Sequence, residues 1–325
     1  MTTNRPAVAL YEPASDAPAR VQWEEAACPL CTRHVSALVL EAPDTLPAPN
    51  AAGLVFAVVR CGHCGLTYTN PRPDERTIAR FYPADYRPHT RPGSRRERPV
   101  RPFLSRVFGR PCAERRGELP WPGPGRVLDF GCGSGTFLQT MAAKGWQVTG
   151  LDASGEAVER VRETLGLAAL EGSLPHPDLR PGSFDVVTMW HSLEHVHRPL
   201  AVLREAYRLL VPGGKLIVAT PNVAGLPFRV FGRSWFGLDL PRHLTHFAPE
   251  TLTAMLHAAG FRPGPVRHVP HADWLCSSAK QACRDGTGGL FARLLRWKQA
   301  AKVAAWMCYV AAASDCILCV AERPV

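Results

Sequence analysis

The sequence has no uninterrupted apolar run approaching the roughly 18 residues of a membrane-spanning helix. Its opening, MTTNRPAVALYEP, also lacks the apolar centre of a secretory leader. Both absences point to a cytoplasmic protein. An even cysteine complement is missing too: there are eleven, and without a leader they read as thiols or metal ligands rather than as a disulfide framework. Acidic residues are scarce where positive charge is concentrated. Residues 87–116 hold ten arginines and two glutamates, a net +8 of the chain's +10, so the remainder is close to neutral. What is present is an ordinary apolar fraction, 46% of 325 residues, enough for one sizeable core and a smaller module.

Residues 1–25 are polar, Pro/Ala-rich and without periodicity, and read as a disordered tail. Residues 26–75 hold two C-x-x-C pairs around the strand-like run GLVFAVVR and form a module of their own. Residues 76–120 comprise a short helix and the Arg-rich linker. From 121 to 325, strands and helices alternate, the pattern of a mainly parallel sheet covered by helices, and the fold class is α/β. RVLDF, QVTGLD, FDVVTMW and KLIVATP are its strands. Helical patterns lie in GTFLQTMAAKG, GEAVERVRETLG, LAVLREAYRLL and APETLTAMLHAAG. A helical insertion at about 272–312 precedes a closing strand, DCILCVAERP.

VLDFGCGSGTF sets Gly131, Gly133 and Gly135 at the turn from a strand into a helix. Glycines there permit a tight turn and close backbone approach, beside the free N–H groups of a helix start. The next strand ends at Asp152, where a carboxylate can accept both hydroxyls of a ribose. Together they point to a nucleoside-containing cofactor. The loop lacks the G-x-G-x-x-G spacing of dinucleotide sites, which disfavours hydride transfer.

VLDFGCGSGTFL, VTGLDAS, FDVVTMWHSLEHVHRP, LLVPGGKLIVATPN and PRHLTHFAPETLTAMLHAAGF follow one another in order. In these blocks the chain resembles class I S-adenosylmethionine-dependent methyltransferases, and among them the ubiquinone-biosynthesis-like group of small-molecule enzymes. The resemblance extends over most of residues 28–325, except the Arg-rich linker and the segment around 272–312. It implies a Rossmann-like seven-stranded methyltransferase sheet whose last strand runs antiparallel, with S-adenosylmethionine as cofactor. It also implies that the loop through Asp129, Phe130, Gly131, Gly133 and Gly135 cradles the methionine part. Asp152, with Ala153 beside it, would hold the ribose, and Ser173 and Leu174 would flank the adenine.

Cys28, Cys31, Cys61 and Cys64 supply the four thiolates of a tetrahedral structural zinc site. The 29 residues between the two pairs exceed the usual ribbon spacing, and an inserted hairpin would span them. A redox dithiol is the rival reading. The module resembles the zinc ribbon found N-terminal in members of the same family. Cys316 and Cys319 repeat the C-x-x-C spacing, but residues three apart in a strand face opposite ways and would not share a metal.

HSLEH has the H-x-x-E-H spacing of a class of zinc peptidases. It follows a buried strand rather than lying inside a helix, which places it at the rim of a ligand cleft instead. Methyl transfer to a hydroxyl or carbon acid requires loss of a proton, and histidine suits that task near neutral pH. His243 is the first candidate base, followed by His191 and His195. Glu194 with His191 and His195 could instead hold a divalent ion, although relatives acting on catechol-like quinone precursors carry Glu where His191 stands. Nucleic-acid amino-methylating enzymes carry an Asn/Asp-Pro-Pro-aromatic turn here, and Trp190-His191-Ser192 lacks it.

These features favour O-methylation, with C-methylation second, of a small-molecule acceptor such as a saccharide, polyketide or isoprenoid-linked intermediate. The alternatives are an RNA methyltransferase that uses the Arg-rich linker, and a non-catalytic binding protein on the same fold. Residues 289–314 read as one long helix, either a lid or a peripheral contact with the inner face of a membrane.

Overall fold

The computed structural model describes residues 21–44, 53–83 and 119–325. The Arg-rich segment lies almost wholly outside the described residues, as do residues 1–20 of the expected tail. The end of that tail is paired: Trp23–Glu24 (β1) runs antiparallel to Arg72–Pro73.

Ser36–Pro43 (β2) and Val55–Cys61 (β3) form the hairpin expected between the cysteine pairs, and Thr67–Thr69 (β4) adds a third strand. Arg72–Pro73 (β5) leads into a single tight turn at Ile78–Phe81.

The main sheet begins with Arg126–Phe130 (β6), Thr136–Ala142 (α1), Gln147–Asp152 (β7), Gly155–Leu165 (α2) and Ala168–Glu171 (β8). Ser154 caps α2 by accepting from the Ala157 N–H, and Gly166 ends it with a left-handed φ of 64°. Phe184–Trp190 (β9), Pro199–Leu209 (α3), Leu210–Pro221 (β10) and Leu226–Phe231 (α4) follow. Next come Thr245–His246 (β11), Pro249–Ala258 (α5), Arg262–Pro263 (β12) and Arg267–Val269 (β13). Ala272–Arg284 (α6), Leu290–Leu295 (α7), Lys298–Val310 (α8) and Cys316–Glu322 (β14) close the chain.

The sheet order is β8-β7-β6-β9-β10-β14, with β12 and β13 both paired to β14 at the edge. This gives seven positions, the seventh broken into two short pieces. β6 to β10 are mutually parallel, while β14 runs antiparallel to β10 from Lys215↔Glu322 to Pro221↔Cys316. Successive residues of a strand serve opposite layers. Leu128, Val187 and Val218 pack under Leu203 and Leu252 of α3 and α5, whereas Val127, Val186 and Ile217 meet Phe137 and Met141 of α1. Each such buried side chain contributes about 1.5–3 kcal/mol.

The cysteine-bearing sheet is not freestanding. β11 pairs with β4, Thr245↔Tyr68 and His246↔Thr67, which makes the small sheet four-stranded. Phe56 and Phe81 also share an apolar cluster with Trp235, Leu238, Leu275 and Leu295. The expected single helix over 289–314 is two helices, because Trp297 between them is extended at φ −87°, ψ 126°. Among the described residues, no helix is long and apolar enough to cross a membrane.

Candidate active site

Strand order reverses between β6 and β9, and the carboxyl ends of two such strands diverge into a crevice. The glycine loop occupies that point. Gly131, Gly133 and Gly135 have φ of 74°, 50° and 73°, a region that side chains with a Cβ avoid. A Cβ on Gly131 would lie 2.5 Å from that of Ser192, so only glycine lets the loop pass the segment after β9.

The predicted cofactor residues converge on this loop. Asp129 is buried and accepts from Thr188 Oγ1 at 2.6 Å. Phe130 is buried in the core beneath the loop. The Gly133 N–H donates to Asp152 Oδ2 at 2.8 Å, and the Ser154 N–H donates to Asp152 Oδ1 at 2.9 Å. Asp152 therefore sets the loop's shape as well as offering carboxylate lone pairs. Ala153 is exposed beside it. The Gly172 N–H donates to the Asp152 carbonyl at 2.8 Å, which brings exposed Ser173 and buried Leu174 to the next strand end. A glycine loop at the point where strand order reverses, with a carboxylate at the neighbouring strand end, fits S-adenosylmethionine.

Across the crevice the structure gathers Glu194, His195 and His243, whose ligand-type atoms all lie within 4.8 Å of one another. Leu193–His195 is one tight turn after β9, so HSLEH is not the helical pair of a zinc peptidase. His243 comes from the segment between α4 and β11, just after the three-residue turn Phe236–Leu238. Its Nδ1 lies 2.8 Å from the Gly237 carbonyl, and His195 Nδ1 lies 3.1 Å from the Arg242 carbonyl. A carbonyl can only accept, so both rings carry their proton on Nδ1 and present Nε2 lone pairs. Tyr82 Oη is a second neighbour of His195 Nδ1, at 3.0 Å.

Burial dominates the electrostatics. It lowers the pKa of His195 to about 4 and that of His243 below the usual histidine range, and it raises Glu194. Both rings are therefore neutral at pH 7. Neither oxygen of fully buried Glu194 has a hydrogen-bond partner among the described residues. Burial would likewise raise Asp239, but Arg242 and His243 hold its carboxyl below the ordinary range.

Arg242 fixes this side of the crevice and was not singled out by sequence reading. Fully buried, it donates from Nη2 to Asp44 Oδ1 at 2.7 Å and to Asp239 Oδ1 at 2.8 Å, and from Nη1 to the Phe81 carbonyl at 2.7 Å. One guanidinium thus joins the end of β2, the turn before Tyr82 and the His243 loop. Its position within PRHLTHF was visible; its partners, up to 198 residues away, were not.

His191 departs from expectation. It has a left-handed φ of 54°, and its Nε2 lies 3.9 Å from Cys316 Sγ while its Nδ1 lies 3.5 Å from Glu194 Oε1. The ion set expected from His191, Glu194 and His195 is thus replaced by one in which His243 takes the place of His191.

In the small module, Cys28, Cys31, Cys61 and Cys64 converge within 4.8 Å, with Sγ–Sγ distances of 3.4 Å for Cys28–Cys64 and 3.5 Å for Cys31–Cys61. The edge of a tetrahedral zinc-thiolate site is about 3.8 Å. The donor set and the spacing both fit zinc.

A family model described as a methyltransferase domain matches residues 93–263. A ubiquinone biosynthesis O-methyltransferase of Xanthomonas euvesicatoria pv. vesicatoria is 36% identical over 166 residues, 46% of this chain and 67% of that protein. Its counterpart in Xanthomonas campestris pv. campestris (strain B100) is 37% identical over the same coverage. Among solved structures, a chain of the complex between the Haloferax volcanii Trm112 methyltransferase activator and the putative methyltransferase matches with a TM-score of 0.50. It is 21% identical and covers 69% of this chain and 93% of that one, a likeness of fold.

Proposed function

Since this chain belongs to the methyltransferase-domain family and is an S-adenosylmethionine-dependent methyltransferase, we propose that it methylates an oxygen of a small-molecule acceptor, with His243 as the general base. The observation that carries this reading is a buried His243 whose Nδ1 lies 2.8 Å from the Gly237 carbonyl, which leaves Nε2 to accept a proton. The names of the Xanthomonas relatives support oxygen as the methylated atom.

The loop from Asp129 to Gly135, Asp152 and Ala153, and Ser173 with Leu174 are the residues that would hold the cofactor. Bound there, S-adenosylmethionine supplies a methyl group activated by its sulfonium. The chain aligns the acceptor and takes its proton. His243 Nε2 accepts that proton, and the resulting imidazolium faces Asp239 Oδ2 at 3.9 Å, a carboxylate kept charged by Arg242. Cys28, Cys31, Cys61 and Cys64 bind a structural zinc that supports folding and takes no part in the transfer.

The bare oxygens of Glu194 favour a second reading, a divalent ion held by Glu194, His195 and His243 that acidifies the acceptor hydroxyl. Activity lost on chelation and restored by magnesium or manganese would favour the ion over the base.

Transfer of labelled methyl from S-adenosylmethionine should be measured across a panel of hydroxylated small molecules and structured RNAs. Label in the small molecules is expected. Label confined to RNA, with a steep salt dependence, would replace this reading with an RNA acceptor.

A further inference from the structure

The structure assigns a second zinc site, separate from the four-cysteine cluster, to His191, His271 and Cys316. The three come from distant parts of the chain: the residue after β9, the residue before α6 and the first residue of β14. All three reach the carboxyl edge of the parallel strands, because β14 runs antiparallel and so begins where β9 and β10 end. Their donor atoms lie within 4.8 Å of one another, with His191 Nε2 and Cys316 Sγ at 3.9 Å. One thiolate and two imidazoles form a nitrogen-and-sulfur set suited to zinc, and three protein ligands leave a fourth position open.

The surroundings are those of a ligand set. Glu194 Oε1 lies 3.5 Å from His191 Nδ1, on the far side of the ring from Cys316. A metal-binding histidine typically engages a carboxylate through its other nitrogen, which fixes the tautomer and strengthens the donor. The Glu194 side chain is 1% exposed and neither oxygen has a hydrogen-bond partner among the described residues, so a His191 ring turned to it by a metal would account for a buried carboxylate. Trp274 stacks on His271 at 4.6 Å and 18°, and lies 5.1 Å from His191, so one indole orients both imidazoles. His191 itself holds a left-handed backbone, a conformation costing about 1–3 kcal/mol for such a residue. Its N–H donates to the Ala219 carbonyl at 2.8 Å, which holds the residue there.

The His191 side chain is 19% exposed, so the site is open to solvent on one side. An acceptor hydroxyl bound there would lose its proton near neutral pH. That consequence rests on the acceptor chemistry proposed above; the metal site does not, and metal content tests it without reference to activity. The full chain should be purified in zinc, dialysed against metal-free buffer and its zinc counted per chain by elemental analysis. Two equivalents are expected for the wild type and one for each of Cys316→Ser and His271→Ala, with S-adenosylmethionine affinity retained in both as evidence of folding. His243→Gln should still hold two. A wild type holding a single equivalent would overturn the site. So would Cys316→Ser and His271→Ala retaining both equivalents, or His243→Gln losing one while they keep two, since the second zinc would then lie with Glu194, His195 and His243.

Discussion

The two walls of the crevice are built in opposite ways. The cofactor wall is local: one strand, one glycine loop and the next strand end, tied by a contact between residues 19 apart, Gly133 and Asp152. The acceptor wall joins pieces that are remote in sequence. Asp44 of the small module and Phe81 of the turn after it meet Arg242, Tyr82 meets His195, and His191 meets Cys316. A shared cofactor can be held by a local motif, whereas an acceptor-specific wall is assembled from whatever a chain adds around that motif. In this chain the additions are the cysteine module and the helices before β14.

The largest test of this difference is Arg242→Ala. It would leave Asp44 and Asp239 buried without their counter-charge, a change expected to cost about 3–5 kcal/mol. Urea unfolding followed by tryptophan fluorescence would measure it, and the folded fraction should still bind S-adenosylmethionine normally. A loss below about 1 kcal/mol would mean that the module does not hold the acceptor wall together.

Acid should act on the same wall. Burial lowers the pKa of His246, at the β4–β11 junction, to about 4. The folded ring stays neutral while the unfolded ring takes a proton below about pH 6.5, so the unfolded state binds more protons as pH falls. Stability is therefore fully present above pH 6.5 and declines as pH falls towards 4, by about 3 kcal/mol for this residue. His195, also lowered to about 4, adds to the decline. Denaturation midpoints at pH 7.5 and 4.5 should differ clearly in the wild type and by less in His246→Gln; equal differences would remove His246 as a cause.

His243→Gln should lower kcat by roughly 100-fold or more, as expected on removing a general base, and leave S-adenosylmethionine affinity unchanged. A fall in affinity with kcat preserved would move His243 to the cofactor wall.

The asymmetry between the walls also explains what could be read from the sequence. Strand-to-helix alternation, the glycine loop, Asp152 and the paired cysteines are local patterns, and each recurs in the structure where its spacing placed it. HSLEH could be located at a strand end because the run before it is continuously apolar. Its partners could not be found that way. Nothing within a few residues of His191 announces Cys316, and Cys316 as part of a C-x-x-C pair drew attention to Cys319 instead. The break at Trp297 was hidden because the residues on both sides favour helix, and tertiary packing of α7 and α8 against α6 outweighs that preference.

The smallest expected effect falls on the local wall. Asp152→Asn keeps one carbonyl-type acceptor and replaces the other oxygen with a donor, so one of the N–H bonds from Gly133 and Ser154 is lost. The loop remains covalently anchored in β6 and α1, so the stability cost should be of the order of one hydrogen bond, about 1 kcal/mol. The affinity for S-adenosylmethionine should fall further than the stability, by roughly tenfold or about 1.4 kcal/mol, because the same carboxylate would accept the ribose hydroxyls. Calorimetric titration beside urea unfolding separates the two quantities. If unfolding stability fell as steeply as in Arg242→Ala, Asp152 would be a structural tie like Arg242, and the division between a local cofactor wall and an assembled acceptor wall would not hold.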